Sequence, residues 1–250
     1  MSKPAIYKTT SGRNIAYYKT NGTEPGVVFL GGFMSDMEGT KATYLESWAK
    51  KQNRAFLRFD YSGHGQSSGA FVDGCIGEWA DDAQQAIVNL TEGPQILVGS
   101  SMGGWIALLM VKSIPQKIAG LVGIAAAPDF TEDSMWGGFS ELQKNMIMSD
   151  GHLALESDYS DEPYIITKKL IEDGRNQLVL RDPLALPFPA RFLHGTADKD
   201  VDLSVALRLL DHVHGNDIRL SVVKGADHSF SALENLTMIR RAIHSVTMQA

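Results

Sequence analysis

Ser101 sits in the run Gly99-Ser100-Ser101-Met102-Gly103-Gly104. Glycines two residues to either side give it the Gly-x-Ser-x-Gly spacing of a serine nucleophile. Ser100 fails the same test, because its flanking positions are Val98 and Met102. The spacing has a steric reason. A serine at a sharp strand-to-helix turn holds a strained backbone, and side chains two residues away would collide across the turn. The turn also lifts the hydroxyl above the sheet and sets it near a helix N-terminus, whose dipole favours developing negative charge.

A serine hydroxyl is a poor nucleophile at neutral pH. It needs a base, and the base needs an orienting acid. Of the seven histidines, His228 stands out: GADHSF follows a strand-like run and precedes the final helix. His64, His152, His194, His212, His214 and His244 read as packing or surface residues. For the acid, HGTADKDV (194–201) follows a buried strand. Asp198, Asp200 and Asp202 compete there. Asp198 lies closest to the strand, whereas Asp202 reads as a helix cap. Asp227 adjoins His228, and neighbouring side chains in an extended loop point apart. The chain order is then Ser101, Asp198, His228, the order of α/β-hydrolase triads. A tetrahedral intermediate needs two N–H donors for its oxyanion. Met102, first in the helix, supplies one. Phe33, after Gly31-Gly32, supplies the other.

The elements that would position these groups alternate. Strands are expected at Val27–Leu30, Ala55–Phe59, Gln95–Val98, Ile118–Ile124, Ala190–Leu193 and Ile218–Val223, and a hairpin within Ile6–Tyr18. Helices are expected at Ile76–Leu90, Met102–Val111 and Asp202–Val213, and at the C-terminus. Most of the strands are apolar on both faces, the mark of a parallel sheet covered by helices on both sides. In such sheets ligands bind beyond the carboxyl ends of the strands, which is where the candidates fall. The expected class is an α/β fold with a core of residues 1–128 and 190–250. Residues 129–189 break the rhythm and read as a helical cap. Met135, Phe139, Leu142 and Met146 share a helical face in it, and a second helix is expected at Tyr164–Asp173. Met34, Trp136, Met146 and Met148 are candidates for an apolar acyl site, because methionine adapts to variable chains. Plain cap packing is the other reading of each methionine.

Composition narrows the function. The chain has 250 residues, 44% hydrophobic and 21% charged, with a formal net charge of -6, which is ordinary for a globular protein. Mild acidity argues against a nucleic-acid partner. The most apolar run, IAGLVGIAAAP from Ile118, is far short of the roughly 20 residues of a membrane span. MSKPAIYKTT at the start lacks the apolar run of a signal peptide, so a cytoplasmic enzyme is expected. A lone cysteine, Cys75, rules out an intrachain disulfide and reads as packing.

The pieces FLGGFMSDMEGTKA, LRFDYSGHGQSSG, GPQILVGSSMGGW, LVGIAAAPDF, HGTADKDV and GADHSF together resemble the α/β-hydrolase superfamily over nearly all the chain. GFxSDM and ILVGSSxGGW are similar to the abhydrolase-domain mitochondrial palmitoyl-protein thioesterases and acyl-glucuronide esterases of animals. The resemblance implies hydrolysis of acyl esters or thioesters by Ser101, with His228 as base and Asp198 as orienter, and no metal or organic cofactor. Many members carry His-Gly in the oxyanion loop, where this chain has Gly31-Gly32. The expected activity is a serine carboxylesterase acting on acyl esters of small molecules. The alternatives are an acyl-protein or acyl-CoA thioesterase and a non-catalytic binding protein on the same fold.

Overall fold

A computed structural model describes residues 3–155 and 163–249; residues 156–162 of the expected cap lie outside the described residues. The first half of the chain runs β1 (Ala5–Lys8), β2 (Asn14–Thr20), β3 (Thr23–Leu30), α1 (Thr40–Lys51), β4 (Arg54–Phe59), α2 (Ile76–Leu90), β5 (Gln95–Ser100), α3 (Met102–Ser113) and β6 (Ile118–Ile124). Then come α4 (Glu141–Asp150), β7 (His152–Leu155), β8 (Tyr164–Thr167), α5 (Lys168–Asn176) and β9 (Leu184–Ala185). The chain closes with β10 (Ala190–Gly195), α6 (Leu203–His212), β11 (Val213–His214), β12 (Ile218–Val223) and α7 (Leu233–Thr247).

Eight strands form the central sheet in the order β1-β2-β4-β3-β5-β6-β10-β12. From β4 to β12 every pairing is parallel, and β2 runs antiparallel to both its neighbours. Alternation along β3 shows why both faces are apolar. Val27 and Phe29 pack with Ala42 and Leu45 of α1 and with Leu236 and Ile239 of α7. Val28 and Leu30 join Trp79 of α2 and Trp105 of α3 in the other core. A parallel strand covered on both sides must be apolar at every position.

Helix α1 has no counterpart in the sequence reading. Its buried stripe is Ala42, Leu45, Glu46 and Ala49, small and partly charged. Glu46 is buried because Arg58 of β4 donates to its carboxylate from both Nε (3.0 Å) and Nη2 (2.9 Å).

The segment between β6 and β10 departs from the all-helical expectation. β7 and β8 form an antiparallel pair, Leu153 opposite Ile166. Tyr164–Thr167 is therefore strand, as its β-branched run YIIT favours, and the helix starts at Lys168 with Thr167 Oγ1 accepting from the Leu170 N–H at 3.1 Å. The face proposed for Met135, Phe139, Leu142 and Met146 is also broken. A π-helical turn over Thr131–Trp136 changes its phase, and Ser140 with Gln143 forms a capping box that starts α4 afresh. Leu142 is consequently 71% exposed. Asp129 clasps the two roots of the segment. Its buried carboxylate accepts N–H bonds from Val179 (2.8 Å), Leu180 (3.0 Å) and Arg181 (3.1 Å). No helix among the described residues is long and apolar enough to cross a membrane.

Candidate active site

The turn between β5 and α3 puts Ser101 at φ 53°, ψ −118°. Such a conformation costs a non-glycine residue about 1–3 kcal/mol and persists only where its surroundings over-determine it. Here three backbone hydrogen bonds do so. Ser101 N–H donates to Ile124 O (2.9 Å), and Ser101 O accepts from Gly104 (2.9 Å) and Ala127 (3.1 Å). The flanking glycines are needed for closeness. A Cβ on Gly99 would lie 2.3 Å from Gly103 O, and one on Gly103 would lie 2.1 Å from Leu30 O. Gly103→Ala is therefore expected to destabilise the protein by about 2–3 kcal/mol through backbone overpacking. Gly138→Ala, where a Cβ meets nothing within 4 Å, is the neutral control. Urea midpoints for the two variants test this; equal midpoints would refute it.

The end of β10 and the loop after β12 bring Asp198 and His228 together. His228 Nδ1 lies 3.0 Å from Asp198 Oδ1 and 2.9 Å from Oδ2. Asp198 Oδ1 also accepts the N–H groups of Asp200 and Val201, each at 2.9 Å. Burial pushes the Asp198 carboxyl up, but the hydrogen bonds from His228, Val201 and Asp200 outweigh it and hold the group below its usual range. With Nδ1 committed to Asp198, Nε2 is the His228 nitrogen left for another partner. Asp198, Asp200 and His228 offer ligand-type atoms within 4.8 Å of one another. Asp198 and His228 Nδ1 within that group are already hydrogen-bonded to each other.

The rejected candidates have other duties. Asp227 turns its carboxylate to the Ser229 hydroxyl (2.9 Å) and the Phe230 N–H (3.0 Å). Asp202 caps α6 through the Ser204 N–H at 2.8 Å. His194 hydrogen-bonds Val201 O at 3.0 Å and so shapes the Asp198 loop. Burial raises the Cys75 thiol to about 11, which leaves it unreactive at neutral pH.

On the other side, Gly32 approaches the serine so closely that a Cβ there would sit 3.4 Å from Ser101 Cβ. The Phe33 ring is anchored edge-on against Phe71 (4.8 Å between centroids) and Phe130 (5.5 Å), which fixes the main chain next to Gly32. Met102 is fully buried and opens α3, where first-turn N–H groups have no intrahelical acceptor.

Ser101, His228, Gly32 and Phe33 line one cavity of about 460 Å³. Met34 is on its wall, together with Phe130, Met135, Tyr164 and Val201, and Asp36, Lys41 and Asp200 supply its charged groups. Of the four residues expected at an acyl site, the structure brings only Met34 there. Trp136 is held instead by cation–π contacts with Arg175 (4.6 Å) and Lys144 (5.8 Å). Met146 and Met148 stand on α4 away from the cavity, 38% and 42% exposed. Sequence reasoning missed Phe130, Met135 and Tyr164. Phe130 was within its reach, because it follows β6 at the carboxyl edge of the sheet.

Comparison with known proteins places this architecture. The Hydrolase_4 family model, described as serine aminopeptidase, S33, matches residues 24–161. The human mitochondrial palmitoyl-protein thioesterase ABHD10 is 36% identical over 216 residues, 86% of this chain and 70% of that protein. Its rat counterpart is 34% identical over 227 residues, covering 90% of this chain and 76% of its own length. Among solved structures, a hydrolase of Agrobacterium vitis S4 described as putative superposes with a TM-score of 0.92 at 36% identity, covering 96% of each chain. Mouse alpha/beta hydrolase domain-containing protein 10 superposes with a TM-score of 0.91 at 30% identity over 99% of each chain.

Proposed function

The chain belongs to the α/β-hydrolase family of ester-bond hydrolases, and we propose that it is a serine carboxylesterase working through Ser101, His228 and Asp198. The observation that carries the reading is the Asp198–His228 pair opening onto the same cavity as a serine in a strained turn. His228 Nε2 takes the Ser101 proton as Oγ attacks the acyl carbon. The N–H groups of Phe33 and Met102 receive the oxyanion, each worth ~10²–10³ in rate. Collapse of the intermediate expels the alcohol, which leaves with the proton from His228, and an acyl-enzyme remains. Water then enters, His228 takes its proton, and the same steps in reverse release the acid and restore Ser101. Asp198 keeps the imidazole in the tautomer with Nδ1–H and stabilises the imidazolium. The acyl chain lies against Phe33, Met34, Phe130 and Met135. Residues 129–189 act as a cap that sets chain length, with the core at 1–128 and 190–250.

A second reading, acyl-thioester hydrolysis, is supported by the relatives at 34–36% identity named palmitoyl-protein thioesterases. The same residues serve it, with a thiol leaving in place of an alcohol. A p-nitrophenyl acyl series from C2 to C16, run beside matched acyl thioesters, separates the two. The carboxylesterase reading expects kcat/KM to favour oxygen esters and to fall once the acyl chain outgrows the cavity. Preference for long thioesters would overturn it in favour of the second reading. Absence of both turnover and fluorophosphonate labelling would overturn both.

A further inference from the structure

We infer that Lys41 is a positioning residue for the base, clamping the loop that carries His228 to the helix that follows the oxyanion loop. The inference rests on the serine-hydrolase reading above. Its observations lie outside the Ser101, His228 and Asp198 constellation itself.

Lys41 is in the first turn of α1, directly after the stretch that carries Gly32 and Phe33. Its ammonium donates a hydrogen bond to the main-chain carbonyl of Ser229, the residue after His228. Upstream of His228 the loop is tied to the Asp198 loop, with Ala226 O accepting from Ala197 N–H and Gly225 N–H donating to Thr196 Oγ1, both at 2.9 Å. From Asp227 to Ser231, apart from the His228–Asp198 pair, its other hydrogen bonds are local. The Asp227 carboxylate accepts from Ser229 Oγ and Phe230 N–H, and Ser231 Oγ donates to Ser229 O at 3.0 Å. Phe230, fully buried and at φ 51°, anchors the loop from behind. Asp198 holds the imidazole ring, and its neighbours Thr196 and Ala197 hold the main chain before it, at Gly225 and Ala226, whereas Lys41 holds it after the base, at Ser229. The Lys41 bond therefore joins the base side of the cavity to the oxyanion side. The neighbouring Ala42 is fully buried against the sheet, so the clamp has a rigid foot.

A lysine on a cavity wall could instead serve as a receptor for an anionic substrate. The surrounding charges argue against that. Asp227 acts on the ammonium from the His228 loop. Asp36 from the oxyanion loop and Asp200 from the loop after β10 share the cavity wall, which also bears His228 itself. Three carboxylates around one ammonium do not recruit an anion. The ammonium is already spent on a carbonyl.

The clamp has a pH signature. Burial pushes Lys41 down to about 8 against the pull of Asp227. Above that pH the bond loses its charge assistance, roughly half its strength, and the base drifts from the serine. Geometry errors of ~1 Å cost up to ~10²-fold in rate, so kcat falls through the window while KM holds. Stability moves the other way. Between about 8 and the ordinary lysine value of 10.5, the unfolded chain binds more protons than the folded one, and stability rises with pH.

The test compares Lys41→Met and Lys41→Arg with the parent protein on one neutral p-nitrophenyl ester from pH 6.5 to 10, with melting temperatures and amide hydrogen exchange in parallel. Lys41→Met is expected to lose about tenfold in kcat at pH 7 with KM within twofold, and to lose the alkaline decline centred near pH 8. Exchange at the Phe230 amide is expected to quicken at least tenfold, a readout that needs no catalysis. Its melting temperature is expected not to rise between pH 8 and 10, unlike that of the parent. Lys41→Arg is expected to keep kcat and show no decline up to pH 10. The inference is overturned if Lys41→Met retains parental kcat and parental exchange at residues 227–230. It is also overturned if the loss is a KM effect confined to carboxylate-bearing esters. A parent protein that neither hydrolyses esters nor labels at Ser101 would sink the hydrolase reading instead, while exchange at Phe230 would still report on the clamp.

Discussion

Ser101→Ala is expected to lower kcat on acyl esters by on the order of 10⁴-fold or more and to abolish fluorophosphonate labelling, with the fold intact. Alanine keeps a Cβ, so the turn at φ 53° is no more strained than with serine. The serine side chain makes no capping hydrogen bond to α3, so its loss leaves no helix donor newly orphaned. The three main-chain bonds that hold the turn involve only backbone atoms of residue 101. Stability should stay within about 0.5 kcal/mol, as for a substitution that creates neither a cavity nor an unpaired group. Ser100→Ala is the matched control. Ser100 ends β5, is 6% exposed and also reaches the cavity, yet its flanks are not glycine and its backbone is ordinary strand. Its loss should cost less than tenfold. Steady-state kinetics with active-site titration decide the matter. Retention of a tenth of parental activity in Ser101→Ala, or collapse of activity in Ser100→Ala alone, would remove Ser101 from the mechanism.

The sheet and its helices were readable because the apolar residues of each element fall at strand or helix spacing. α2, β6 and β12 run over the same residues that periodicity marks out, Ile76–Leu90, Ile118–Ile124 and Ile218–Val223. The juxtaposition of Asp198 with His228 was readable for a related reason: each follows a parallel strand, and such strands deliver their loops to one edge. What stayed hidden depends on distant partners. The buried stripe of α1 includes Glu46, and only Arg58 of β4 makes that burial tolerable. A long-range ion pair leaves no periodic trace. Within 129–189 the error was one of phase. Met135 reaches the cavity while its neighbour Trp136 is held between Arg175 and Lys144. Helical spacing cannot foresee the π-helical turn that sets which of the two faces inward.

Asp198→Asn should be nearly as damaging as loss of the nucleophile, on the order of 10⁴-fold in kcat, although it changes a single atom. The Asp198 carboxylate faces three N–H groups: His228 Nδ1, Asp200 N and Val201 N. An asparagine has one oxygen for that task, and the two fixed backbone donors claim it. Its NH₂ is then turned to His228 Nδ1, which must accept rather than donate. The imidazole flips tautomer, Nε2 carries the proton, and the ring can no longer take one from Ser101. KM should change little, because the cavity wall is unaltered. The same substitution has a pH consequence whose sign is fixed. Asp198 titrates in the folded chain below its unfolded value of about 3.9. Between the two values the unfolded chain binds the extra proton, so this carboxylate's contribution to stability is complete above the unfolded value and lost as pH falls through the folded one. Melting temperature against pH, measured from 7 down to 2.5, should therefore fall less steeply below about pH 4 in Asp198→Asn than in the parent. Asp200→Asn, whose side chain is exposed, should keep kcat within threefold. If Asp198→Asn retained substantial activity while Asp200→Asn lost it, the orienting acid would be Asp200 and the 2.9 Å contact to His228 would be structural only.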